Sequence, residues 1–211
     1  IALGERDTAL EDIQELVQRA GQSAAAWLSI SELYGLVGQT EQALDAARKA
    51  LSFEPDSFEA QKRLAMLLLN NLQTQQEGMD LLAKALEQQP GDVQLRLRKA
   101  AALLDQGGGS TAQAVRILNA LVEQFPRLEE AWAMLTEWYL RSNQPGMAMD
   151  TLLRGLAALP ESRALLVAKA RIEAARSPAV ALETLNQLAR KFPGDPGITE
   201  MRAQLLARLG Q

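Results

Sequence analysis

The sequence predicts an all-α solenoid of stacked helical hairpins, and three observations predict it. The 211 residues are 47% hydrophobic but only 4% aromatic, so the apolar content is chiefly Leu and Ala, which rank with Gln, Glu, Lys and Arg among the strongest helix formers. Five of the eight prolines, Pro55, Pro90, Pro126, Pro160 and Pro193, recur at intervals of 35, 36, 34 and 33 residues, and a period of this size marks an array of repeated units. Each of these prolines follows an amphipathic stretch, such as Ala-Leu-Asp-Ala-Ala-Arg-Lys-Ala-Leu before Pro55. Proline lacks an N–H and disfavours helix in the residue before it, so it stops a helix there.

The period divides the chain into twelve predicted helices. The first covers about 7–20. Pairs follow near 24–37 and 40–53, 57–71 and 75–88, 92–105 and 111–124, 128–142 and 145–158, and 161–175 and 178–191, with a last helix at 196–209. The turns explain why the interval wavers: Asn70-Asn71 and Gly107-Gly108-Gly109 lengthen two of them, whereas Ser177-Pro178 shortens the last. Small residues recur at two registers. Ser31, Ala65, Ala100, Thr136 and Ala170 stand at the eighth position, and Ala43, Gly78, Ala114, Ala148 and Ala181 stand near the twentieth. Two antiparallel helices approach closely only where both present small side chains, with residues such as Leu64, Leu118, Leu135 and Leu185 filling the ridges and grooves around the crossing. Both ends read as half-repeats. Ala9, Ile13 and Leu16 lie 34 residues before Ala43, Ala47 and Ala50, and Ala203 takes the small position of the last helix. Glu200, Arg202, Gln204 and Arg208 give that helix the polar face of a cap. The expectation is one solenoid over 1–211, excised from a longer protein. It comprises a preceding helix at 1–23, repeats at 24–57, 58–92, 93–128, 129–162 and 163–195, and a terminal helix at 196–211.

What is missing from the composition excludes whole classes of chemistry. With no Cys and no His, disulfides, thiol nucleophiles, zinc sites built on those residues and any triad with a histidine base are ruled out. The longest apolar run, Leu64–Leu69, is six residues, against the roughly 18 that a membrane helix requires. The formal charge of −4 and the scarcity of aromatics are poor equipment for holding nucleic acid.

Within the frame set by the prolines, the first copy reads Trp27, Ile30, Ser31, Tyr34, Ala43, Ala47, Pro55, and the fourth reads Trp132, Leu135, Thr136, Tyr139, Ala148, Leu152, Pro160. Over nearly its whole length the chain resembles the tetratricopeptide repeat family, whose pattern is W-x2-L-G-x2-Y, A-x3-F and P at about 34 residues. Ser31 and Thr136 replace the usual Gly, and Ala47 and Leu152 the usual Phe. The resemblance implies a right-handed α-solenoid of about five helix-turn-helix repeats, with a partial repeat or capping helix at each end. It also implies a concave groove read from positions 2, 5, 6, 9, 12 and 13 of each first helix. From that set the candidate partner-binding residues are Leu28, Glu32, Lys62, Arg63, Met66, Leu69, Leu97, Arg98, Leu104, Met134, Glu137 and Arg171. Lys62, Arg63 and Arg98 gather positive charge and the leucines and methionines add apolar contact, a combination suited to a peptide that carries acidic residues. Ser29, Glu32 and Leu36 do not match the Lys/Asn set with which chaperone-tail binders of the family clamp a terminal carboxylate.

Other features weigh less. The segment Gln106–Thr111 precedes a helix as phosphate loops do but lacks their Lys-Ser/Thr ending, so it reads as a lengthened turn in which Ser110 or Thr111 caps the helix. Arg96-Leu97-Arg98-Lys99 spreads its charges over different helix faces. Glu129, Glu130 and Glu137 cluster without a pocket that would make them an acid–base pair. Trp138 lies outside the repeat pattern and reads equally as core or as a partner anchor.

The expected function is a protein–protein interaction scaffold that holds a peptide or partner protein in its groove, without catalysis, cofactor or metal. The alternatives are a structural spacer that self-associates through its repeat ends and, more distantly, an RNA-binding helical repeat. The Ala/Leu/Gln-rich sequence is similar to that of bacterial repeat proteins of envelope assembly or exopolysaccharide export. The absence of Cys fixes no compartment, and that similarity favours the periplasm over the cytoplasm.

Overall fold

The structure is a computed structural model that describes residues 3–210. Among these residues there are twelve α-helices and no strand: α1 (Leu3–Arg19), α2 (Ala24–Leu36), α3 (Thr40–Phe53), α4 (Phe58–Leu68), α5 (Gln75–Gln88), α6 (Val93–Gln106), α7 (Thr111–Gln124), α8 (Glu129–Arg141), α9 (Pro145–Ala158), α10 (Arg163–Arg176), α11 (Pro178–Lys191) and α12 (Pro196–Leu209). A single 3-10 turn, Gly108–Ser110, precedes α7. The chain forms two compact units, Ile1–Gln106 and Gly107–Gln211. The boundary falls inside the predicted third repeat, so α6 belongs to the first unit and α7 to the second.

The helix ends follow from the repeated residues. Glu54, Gln89, Phe125, Leu159 and Phe192, each immediately before a periodic proline, close α3, α5, α7, α9 and α11 with φ between −124° and −133° and ψ between 67° and 82°. This is the conformation into which a following proline forces its neighbour. Each such residue still donates its N–H to the carbonyl four residues earlier, as Glu54 does to Ala50 at 3.1 Å. Four of the following helices then start on a side-chain cap, as α2 also does: Ser57, Asp92, Ser162, Asp195 and, for α2, Ser23 accept from the N–H three residues on, at 2.8–3.4 Å, whereas α8 starts on Leu128 without one. A Ser or Asp oxygen at this place satisfies one of the otherwise unpaired first-turn donors.

A second recurrent bond ties three of the turns to the helix after them. Trp27 Nε1 donates to Gly21 O at 2.9 Å, Gln61 Nε2 to Pro55 O at 2.9 Å, and Trp132 Nε1 to Pro126 O at 2.8 Å. All three donors stand at position 4 and reach back six residues, so Gln61 performs the same task as the tryptophans with a different side chain. The close helix crossings are where the register places them. Ala43, Ala65, Ala100, Ala114, Ala148, Ala170 and Ala181 are fully buried, as is Ser31, and Thr136 is 1% exposed. Ser31 donates to Ala43 O at 2.8 Å across its crossing, and Thr136 donates to Trp132 O on its own helix at 2.8 Å. At Gly78 an added Cβ would lie 3.0–3.1 Å from Leu68 and Leu69, and at Gly155 3.0–3.2 Å from Trp132 and Leu165. Both positions therefore need the missing side chain.

The two ends depart from the expected pattern. Ile13 is buried beside Trp27 and Ile30, but Leu16 is 45% exposed although it shares the register of fully buried Ala50. In α12, Ile198 and Leu205 are buried whereas Ala203, at the small position, is exposed. The reason is the same in both cases. Leu16 and Ala203 stand where the other helix of their own hairpin would cover them, and none lies against them among the described residues, whereas Ile13, Ile198 and Leu205 pack on the neighbouring repeat. The Gly107–Ser110 segment is a lengthened turn. Gly107 and Gly108 adopt φ of 69° and 55°, a conformation that favours glycine, and Ser110 precedes α7 without a side-chain cap bond while Thr111 Oγ1 donates to Gly108 O at 2.8 Å.

Candidate ligand cleft

In the first unit, the structure brings the predicted groove residues onto the first helices of their hairpins and then ties most of them to the protein itself. Lys62 forms an ion pair with Asp92 at 2.6 Å, and Asp92 also caps α6 through its other carboxylate oxygen. Burial raises the Asp92 carboxyl, but the hydrogen bonds from Lys62 and from the Leu95 N–H outweigh it and hold the group below its usual value. Arg63 donates Nε to Ser31 Oγ at 2.9 Å and Nη2 to Ser31 O at 2.6 Å. Its guanidinium lies over Gly35, where a Cβ would come within 2.7 Å of Nη2. Partial burial pushes Arg63 down from the usual guanidinium value, and the charge of Glu32 opposes that shift.

Leu69 packs against the cluster of Ala65, Leu82, Ala85 and Leu95, and Leu28 against that of Trp27 and Ile30. Leu97 is 5% exposed; it belongs to the helix packing rather than to an open face, because α6 buries it along with Ala100 and Leu103. Met66 and Leu104 are half-buried, and Glu32 and Arg98 are exposed. The basic edge expected over the second and third repeats is thus reduced to Arg98, since Lys62 and Arg63 are bonded to Asp92 and Ser31.

The second unit is different. A cleft of about 470 Å³ opens between α10 and α12 over the α11 residue Leu185, within the size range of ligand pockets. Arg163, Val167, Arg171 and Ala174 line it from α10, and Gly197, Glu200, Met201, Gln204, Leu205 and Arg208 from α12. Arg163 forms an ion pair with Asp195, whose other oxygen caps α12. With the Arg163 hydrogen bond as the main cause and the Ile198 N–H as the next, Asp195 is held down to about 2. Gln204 donates to Glu200 at 3.1 Å. Arg171 lies 3.7 Å from Glu137 on α8, with both side chains about half exposed, a weak pairing in water.

Of the twelve predicted groove residues, this cleft contains Arg171; Glu137 stands beside it and Met134 is half-buried on the same helix α8. Arg163, Glu200, Met201, Gln204 and Arg208 were missed. The signal was present: positions 2, 5, 6, 9 and 13 of the last helix are Gly197, Glu200, Met201, Gln204 and Arg208, and all five line the cleft. Reading that helix as a cap hid them, because it turned Glu200, Gln204 and Arg208 outward. Trp138 is half-buried and meets Tyr139 edge-on, with ring centroids 4.8 Å apart and planes at 62°. Among the described residues no cluster of three or more acidic side chains is placed to hold a metal ion, and no helix is long and apolar enough to cross a membrane.

Residues 96–127 match the sequence model of the tetratricopeptide repeat. The chain is similar in structure to PilW, a widely conserved type IV pilus biogenesis factor, with a TM-score of 0.75, 23% identity and coverage of 94% of this chain and 91% of that one. The fold is that of a tetratricopeptide repeat protein. A tetratricopeptide repeat protein from Parabacteroides merdae ATCC 43184 is also similar, at a TM-score of 0.71 and 20% identity over 90% of this chain and 75% of that one. So is YrrB, a tetratricopeptide repeat protein with an unusual peptide-binding site, at 0.63 and 20% over 80% and 85%. No curated protein sequence matches the chain. The described helices pair as hairpins α2/α3, α4/α5, α8/α9 and α10/α11, and the matched residues 96–127 run from α6 into α7.

Proposed function

We propose that this tetratricopeptide repeat protein is an interaction scaffold without catalysis of its own, and that it holds a peptide segment of a partner protein in the cleft between α10 and α12. One observation carries the reading. The residues at the groove positions of two first helices converge on one cleft of about 470 Å³ whose floor is apolar and whose rim is charged. An apolar floor supplies the affinity of a peptide site, and a few polar groups at the rim supply its orientation. The peptide-binding site of YrrB and the role of PilW in pilus biogenesis, both on the same fold, support placing the scaffold in assembly of a bacterial envelope or export complex.

The test is site-specific crosslinking in extract of the source organism. A photoreactive residue at Gln204, inside the cleft, is expected to capture one contiguous segment of a partner, and Met201→Glu is expected to abolish that capture. The same residue at Glu183, exposed on α11, serves as the reference. Equal capture at Gln204 and Glu183, or none at Gln204, would refute the cleft as the working surface.

A further inference from the structure

We infer that the segment taken up by the cleft is acidic: an apolar side chain seated on Val167 and Met201, flanked by a carboxylate held between Arg171 and Arg208. The inference rests on the reading of the cleft as a peptide site and adds the chemistry of its occupant. The chain as a whole carries a formal charge of −4, yet three arginines and one glutamate line this cleft. Asp195 takes up Arg163 and Gln204 binds Glu200, so the charges that most directly face a ligand are the guanidinium groups of Arg171 and Arg208, and these favour an anionic segment.

The bonding inside the cleft sharpens the point. Arg163 is committed to Asp195, and the single glutamate, Glu200, already accepts a hydrogen bond from Gln204. Arg171 has only the loose 3.7 Å pairing with half-exposed Glu137. Arg208, on the opposite wall, has no ion-pair partner within 4.0 Å among the described residues. Two guanidinium groups, one from α10 and one from α12, thus rim one apolar floor with donors to spare, and guanidinium donors match carboxylate oxygens in geometry and charge. Arg63, in the first unit, shows the contrasting case, since Ser31 takes up its Nε and Nη2 donors.

The experiment is a binding screen of the full chain against immobilised dodecapeptides randomised over Leu, Glu, Gln and Lys. Peptides pairing Leu with Glu are expected to bind about tenfold tighter than their Gln counterparts, the size of one charge-assisted hydrogen bond. The preference should shrink as sodium chloride rises to about 0.5 M, where screening shortens the reach of the charges. Arg171→Gln/Arg208→Gln is expected to erase the preference for Glu over Gln peptides. Both residues are exposed, so circular dichroism should show an unchanged fold. Equal binding of Glu and Gln peptides would overturn the acidic occupant while leaving the peptide cleft standing. Failure of every peptide, with Met201→Glu indistinguishable from the natural chain, would remove both.

Discussion

The first and second units present the same groove positions of the same repeat, yet among the described residues they are used differently, the second forming an arginine-rimmed cleft. In the first, Lys62 and Arg63 are bonded to Asp92 and Ser31, and Leu69 and Leu97 are packed against neighbouring helices. In the second, Arg171 and Arg208 stand on opposite walls of an apolar cleft, one loosely paired and the other without an ion pair among the described residues. The contrast teaches that register determines which face a charge occupies, whereas its availability to a ligand depends on whether the neighbouring repeat supplies a partner. A cation already neutralised by an aspartate offers little to a ligand, because any new contact must first replace the existing one.

The contrast can be broken or sharpened by substitution. The largest effect is expected at Trp132, which is 4% exposed, packs on Gly155 and bonds to Pro126 O. Trp132→Ala should cost about 3–5 kcal/mol by urea denaturation. Ala148→Leu comes next: it should overpack a fully buried crossing and cost about 1–3 kcal/mol, and an unchanged thermal melt would disprove the crossing. Arg63→Ala should destabilise by about 1–2 kcal/mol, because two charge-assisted bonds to Ser31 are lost from a partly exposed site. Arg171→Ala, by contrast, should leave the melt within about 0.5 kcal/mol of the natural chain and act on ligand binding. If Arg171→Ala proved as destabilising as Arg63→Ala, the distinction between the units would disappear.

The smallest effect is electrostatic. Asp195 is held at about 2 against a usual 3.8, and Asp92 is also lowered. A carboxylate whose folded value lies below its unfolded value adds stability above the unfolded value, and that stability is lost as pH falls through the folded one. For Asp195 the loss runs from about pH 4 to about pH 2. A melting series across that window should fall less steeply for Asp195→Asn than for the natural chain, and parallel curves would show that the Arg163 pair contributes nothing.

Much of the architecture was legible because it depends on local rules that repeat. The residues before Pro55, Pro90, Pro126, Pro160 and Pro193 end their helices because a proline's ring excludes the helical conformation next to it. Ser31, Ala65, Ala148 and their counterparts mark the crossings because no larger side chain fits there. These are constraints between residues close in sequence or fixed by a common period, and a single chain displays them directly. The role of Gln61 as a stand-in for tryptophan was not visible, since only the bond to Pro55 O reveals it. Nor was the exposure of Leu16 and Ala203, which depends on whether a helix lies against them.

The sequence by itself determined the all-α class, the hairpin register and the residues of the close crossings. It also determined the absence of cysteine and histidine chemistry. Only the tertiary structure decided which groove residues are tied to a neighbouring repeat: it joined Lys62 to Asp92 across 30 residues, Arg63 to Ser31 across 32, and Arg163 to Asp195 across 32, and left Arg171 and Arg208 at the rim of a cleft. The physical reason is that helical periodicity fixes the direction of a side chain from its own neighbours. The partner that takes up its charge comes from the adjacent repeat, whose position is set by packing.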